Sequence, residues 1–142
     1  MRGYSSGTLA YHGTDLHTAR LLAADPTRVD VSIGGGELGR GFYAGDHVAL
    51  AATWARGRHA SPGVLEIEIA ASRYASLATL TLSWVRVVNT WNQLVRAGGT
   101  HTYLFGYDVV YGPLATYPHA GQHKFESLAS EDTLKQARWS VL

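Results

Sequence analysis

The 142-residue chain contains no cysteine. That absence removes disulfide staples, thiolate nucleophiles and thiolate metal sites together. Charge is also scarce. Asp, Glu, Lys and Arg make up 16% of the residues, and 12 basic against 11 acidic side chains leave a net charge of +1. This balance lacks the clustered basic excess of a dedicated nucleic-acid binder, although a neutral chain can still be basic locally. No apolar run approaches the roughly 20 residues of a bilayer-spanning helix. The most apolar stretch covers only residues 48–55. Residues 1–9 have no apolar segment of the ~7–15 residues found in secretory signals. The expectation is a cytoplasmic protein, or one delivered to a target cell's cytosol, with no membrane partner.

What remains is apolar and rich in glycine. Hydrophobic residues are 46% of the chain, enough for one sizeable core, so residues 1–142 are read as a single domain. Glycine occurs 16 times and crowds around Gly34, Gly35, Gly36, Gly39, Gly41 and Gly45. A strand is expected at 8–12, ended by Gly13. A helix is expected at 16–24, capped by Asp15 and stopped by Asp25-Pro26. Residues 28–33 read as strand or extended loop. Asp46 reads as the cap of a helix over 47–58, whose small face is Val48, Ala51, Ala52 and Ala55. Residues 64–69 alternate apolar and acidic, a strand with one wet face. Ser83 caps the longest helix, with Trp84 and Trp91 on its inner face and Gly98-Gly99 at its end. Strands are expected at 107–111, stopped by Gly112-Pro113, and at 122–127. A final helix is expected near 133–137. Strands and helices do not alternate regularly, which favours an α+β fold with mainly antiparallel sheets.

Several motifs fail on chemistry. Gly34-x-Gly36-x-x-Gly39 has the spacing of a dinucleotide fingerprint, but that device needs its last glycine to open a helix. Here Arg40-Gly41-Phe42-Tyr43 follows, and a mobile glycine loop beside a site fits better. His119 and His123 are four apart, but Pro118 and Gly121 argue against a helix, so no metal site is expected. There is no Gly-x-Ser-x-Gly elbow for a serine nucleophile. Glu66 and Glu68 read as a solvated strand face. Tyr11, Tyr43 and Trp54 adjoin motifs instead of a periodic stripe, as aromatic platforms for planar ligands do.

Three segments carry a resemblance. They are Tyr11-His12-Gly13-Thr14, then the run Gly39 to Asp46 containing Gly41-Phe42-Tyr43, then Ala51-Ala52-Thr53-Trp54-Ala55. In this order the chain resembles the ADP-ribosyltransferase superfamily, in its His-Tyr-Glu branch of diphtheria-toxin and poly(ADP-ribose) polymerase type. Within it the likeness extends to a group of small bacterial domains, through Tyr107 to Ala115 and a Gln-x-x-Phe strand at Gln122 to Phe125. The resemblance implies a split pair of mainly antiparallel sheets with flanking helices. It implies NAD as co-substrate, with no metal. His12 would bond the adenosine ribose, and the Gly13 backbone the carboxamide, where a glycine lets main chain approach the ligand. Thr14 would support that turn. Tyr43 and Trp54, eleven residues apart, would sandwich the nicotinamide ring. Arg40 would contact the pyrophosphate.

Two positions depart from the pattern. The late-strand glutamate that binds the ribose hydroxyl is Gln122 here, and the polymerase serine is Ala51. Gln122 accepts the same hydrogen bond but carries no charge. Glu126, four residues on, is the other candidate carboxylate. The implied activity is mono-ADP-ribosyl transfer from NAD to a macromolecular acceptor, protein or nucleic acid. His12, Tyr43 and Gln122 would be the catalytic set. A toxin role with an antitoxin or immunity protein is implied by resemblance. The alternatives are an NAD glycohydrolase, a non-catalytic NAD- or ADP-ribose-binding module, and an RNA 2′-phosphotransferase. The last needs several arginines around a phosphate, where only Arg40, Arg56 and Arg58 lie nearby in sequence.

Overall fold

Alternation in the middle of the sequence sets the frame. In β5 (Pro62–Ala70), Leu65, Ile67 and Ile69 are fully buried, while Val64, Glu66 and Glu68 between them are partly exposed. A strand with one apolar face must cover it. The computed structural model describes residues 7–142, so the expectation for residues 1–9 falls mostly outside the described residues. β5 pairs antiparallel with β1 (Gly7–Asp15) on one side, from Gly7↔Ala70 to Asp15↔Pro62. On its other side it pairs with β9 (Arg138–Val141). The second half of the sheet is built on β8 (Tyr117–Phe125), which lies between β4 (Phe42–Gly45) and β7 (Val109–Leu114). A short β6 (Thr79–Thr81) runs parallel to β7 and is the parallel edge of an otherwise antiparallel sheet. The seven-stranded order is β6-β7-β8-β4-β1-β5-β9. Between β1 and β4 the register holds a single pair, Tyr11↔Gly45, so this ladder is the thinnest join in the sheet.

The helices follow their caps. Asp15 accepts from the Thr18 N–H at 2.8 Å and starts α1 (Leu16–Ala24), which a 3₁₀ turn at Pro26–Arg28 follows. Ser83 caps α4 (Trp84–Ala97), and Gly98 ends it in the left-handed conformation at φ 68° that glycine adopts freely. α2 (Val48–Arg58) packs on β1 and β5. The helix α3 (Ala71–Ala75) is short, and α5 (Leu128–Lys135) precedes β9.

Several boundaries differ from expectation, each for a physical reason. β1 continues through Gly13 to Asp15, because its pairing with β5 is unbroken there. His47, not Asp46, is the N-cap of α2; the Asp46 carboxylate instead accepts from the Gly121 N–H and the Tyr111 hydroxyl. Gly112-Pro113 does not stop its strand. β7 runs on to a register shift at Pro113/Leu114, where an irregular ladder tolerates the missing N–H of proline. The last helix starts at Leu128, because Ser127 and Ser130 form a reciprocal capping box. Residues 28–33 form no strand. Trp84 is exposed and donates its indole N–H to the Ala115 carbonyl, so it is not core.

Burial falls into two clusters. Ala10, Leu22, Phe42, Leu65, Ile67, Val109 and Trp139 belong to the larger one. Leu38, Leu82, Val87, Val110 and Ala115 form the smaller, against which Tyr43 and Trp91 pack. Val109 and Val110 are sequence neighbours in β7 and so serve opposite faces of the sheet.

Candidate active site

Beside the thin β1–β4 ladder, a cleft of about 1060 Å³ opens. Ligand pockets usually span about 300–1,000 Å³, so it has room for a ligand of dinucleotide size. Its walls come from β1, β4, α1, α2, the glycine segment and the middle of β8. Of the residues singled out from sequence, Tyr11, His12, Gly13, Tyr43, Trp54 and Gln122 line this cleft together. Thr14 and Arg40 are not among its lining residues. The Arg40 main chain is held in β3 (Gly39–Arg40), and its N–H donates to the Tyr103 carbonyl at 2.9 Å. The reason is register: Arg40 pairs with Gly35 in a two-stranded hairpin with β2 (Gly35–Gly36).

His12 clasps the two halves. Its Nδ1 lies 2.6 Å from the Tyr43 carbonyl oxygen, and its ring stacks on Phe42 at 4.3 Å. A carbonyl can only accept, so Nδ1 carries the proton. Burial lowers the pKa of His12, and the Tyr43 carbonyl opposes this more weakly. The ring is therefore neutral at neutral pH, and Nε2 is an acceptor. Gly13 lines the cleft and also has a packing task. A Cβ there would collide with the Ala51 carbonyl oxygen and come within 3.2 Å of the Ala55 Cβ. The glycine lets α2 approach β1, and the wall formed by α2 depends on it.

The glycine segment is held by hydrogen bonds at several points. Gly36 N–H donates to the Thr100 carbonyl, and Gly41 N–H to the Gly34 carbonyl. The Tyr43 hydroxyl accepts from the Leu38 N–H at 3.0 Å and donates to the Gly39 carbonyl at 2.6 Å. Gly36 lies over the Tyr43 ring, where a Cβ would be 2.9 Å from Cζ. Burial raises the Tyr43 pKa, so the phenol stays protonated and neutral. Trp54 is 46% exposed, and the Arg58 guanidinium stacks on its ring at 4.1 Å from the centroid. That ring face accepts a planar cation. Trp91, expected in the core, also lines the cleft.

The two late-strand candidates part company. Gln122 is buried at the floor of the cleft, whereas Glu126 is not among its lining residues. Glu126 forms a buried ion pair with Lys124 at 2.5 Å and accepts from the Phe105 and Gly106 N–H groups. Gln122 Nε2 is 2.6 Å from a carboxylate that the sequence did not single out, Glu37 of the glycine hairpin. Glu37 also accepts from the Ala115 N–H at 2.9 Å. Burial raises its pKa, while its bonds from Ala115 and Gln122 pull the other way. The clue in the sequence was a lone acid within the glycine run of a chain poor in charge.

Other polar groups are occupied elsewhere. His123 bonds the Tyr74 hydroxyl at 2.7 Å, and burial lowers its pKa to about 4. Glu68 lies 3.9 Å from Arg138. Among the described residues no cluster of three or more His, Asp or Glu side chains is arranged to hold a metal ion. Among them, too, no helix is long and apolar enough to cross a membrane. Compared with known proteins, the chain matches no family model and no curated protein sequence.

Proposed function

We propose that the cleft binds NAD and that the protein is a mono-ADP-ribosyltransferase with an ADP-ribosyltransferase-like fold. The observation that carries this is the convergence of His12, Tyr43, Trp54 and Gln122 on one cleft beside the thin β1–β4 ladder of a mostly antiparallel sheet. The donor chemistry suits the ligand. Neutral His12 offers Nε2 to a ribose hydroxyl. Tyr43 and Trp54 present electron-rich rings to the cationic nicotinamide, an attraction of about 0.5–2 kcal/mol. Arg58 lines the cleft beside Trp54 and, unlike Arg40, is a cation available there for the pyrophosphate.

In the reaction, the C–N bond between ribose and nicotinamide breaks, and its electron pair leaves with the nicotinamide nitrogen. A lone pair of the acceptor forms the new bond to the same ribose carbon, and the acceptor's proton passes to solvent. The cleft rim bears Leu21, Ile33 and Trp54, all exposed, with Ile33 at 76%. Such apolar surface at the mouth favours a macromolecular acceptor that covers it.

Calorimetric titration with NAD, followed by assay of nicotinamide release, tests the proposal. Binding and release are expected in the full chain. Absence of both would refute the site, and release of free ADP-ribose with every acceptor tried would make the protein a glycohydrolase.

A further inference from the structure

With Gln122 at the floor of the cleft and Glu126 tied to Lys124, neither late-strand candidate brings a free negative charge to face a developing cation. Glu37 changes that. It lies in the glycine hairpin and lines the cleft with Tyr43 and Gln122. Burial is the main reason that the Tyr43 phenol titrates so high, and the charges of Glu37 and Glu126 both add to the effect.

Both hydrogen bonds to Glu37 fall on Oε1. The second oxygen keeps its acceptor capacity. An ionised carboxylate only accepts, so Gln122 must turn its N–H to Glu37 and keep its own carbonyl oxygen for a ligand. Among the described residues Glu37 has no salt bridge. A half-buried carboxylate without a cation is unfavourable. Its raised pKa reflects this cost.

We propose that Glu37 and Gln122 divide between them the work of one catalytic glutamate. The Gln122 amide oxygen accepts the ribose hydroxyl, and the Glu37 carboxylate behind it supplies the negative charge that stabilises the ribosyl cation as nicotinamide departs. This rests on the NAD reading above. Glu37 acts through Gln122 and through space, so it is a positioning and electrostatic residue. The bond that breaks and the electron pair that leaves are those already described; Glu37 gains and loses no proton in the step.

The test measures nicotinamide release and NAD affinity for the full-length wild type and three variants. Glu37→Gln is isosteric and can still accept from Ala115 and Gln122, so a purely structural Glu37 predicts no loss. The proposal predicts a fall of about 100- to 1,000-fold in the rate of release, the usual effect of removing one preorganised charge or donor, with NAD affinity changed much less. Gln122→Glu alone should give no gain. It would put two carboxyl groups within hydrogen-bond distance, where they share one proton and keep a single charge. The double variant Glu37→Gln/Gln122→Glu moves the charge across the same hydrogen bond and should recover activity to within about tenfold of wild type, a small residue of the ~100-fold loss. Wild-type activity in Glu37→Gln, or a double variant no better than Glu37→Gln, overturns the proposal and leaves the NAD reading standing. A wild type that neither binds NAD nor releases nicotinamide overturns both.

Discussion

Glu126 and Glu37 converge on the same strand, β8, and have opposite fates. Glu126 is 5% exposed, paired with a fully buried Lys124, and accepts two backbone N–H groups from the Phe105-Gly106 turn. Every demand of its charge is met inside the protein. Glu37 has two hydrogen bonds on one oxygen, no cation paired with it among the described residues, and an open cleft before it. The first carboxylate has finished its work when the chain folds. The second has electrostatic capacity left for a ligand. From sequence alone Gln122 held the position of the glutamate, Glu126 was the other candidate four residues on, and Glu37 was not singled out. The carboxylate that Gln122 does bond lies 85 residues away in sequence.

The contrast can be broken most severely on the structural side. Lys124→Met removes the cation and leaves Glu126 buried and unpaired, which should cost about 3–5 kcal/mol of stability in urea unfolding. Glu37→Gln should cost less than about 1 kcal/mol in the same assay, since it keeps both hydrogen bonds of a half-exposed group. Similar losses from both would erase the distinction. Gly13→Ala should come next, at about 1–3 kcal/mol, because overpacking forces α2 away from β1. It should also weaken NAD binding, as Ala51 and Trp54 of that helix line the cleft. A neutral Gly13→Ala would mean that α2 is free to shift.

The smallest effect is in pH. The pKa of Glu37 is raised in the fold. The folded state therefore binds the proton more tightly than the unfolded chain, and this group adds stability as pH falls from above the raised value toward the ordinary carboxylate range. Activity should move the other way and decline over that window as the charge is lost. Comparing wild type with Glu37→Gln isolates the group. The stability difference should shift toward wild type in acid, and a difference independent of pH would contradict the assignment.

Local signals were legible where one residue type performs one task. Asp15 and Ser83 cap helices as their side chains dictate, and alternation over residues 64–69 marks β5. Misreadings arose where a residue's partner is distant. Asp46 looks like a helix cap until Tyr111 and Gly121 claim its carboxylate. Gly112-Pro113 looks like a stop until pairing with β8 carries the strand past it. The strands β6 and β9 are short edge strands with little alternation to announce them. The site was read in the same uneven way. His12, Tyr43, Trp54 and Gln122 do meet in one cleft. Arg40 was diverted by hairpin register, and Glu37 was hidden in a run of glycines with no period to mark it.

The central claim is that a cleft with a neutral histidine, two aromatic walls and a divided glutamate cleaves NAD. The most direct measurement is nicotinamide release by wild type and Glu37→Gln, assayed side by side at saturating NAD. The account predicts release by the wild type and a loss of about 100-fold or more in the variant. Equal rates in the two proteins, or no release from either, would contradict it.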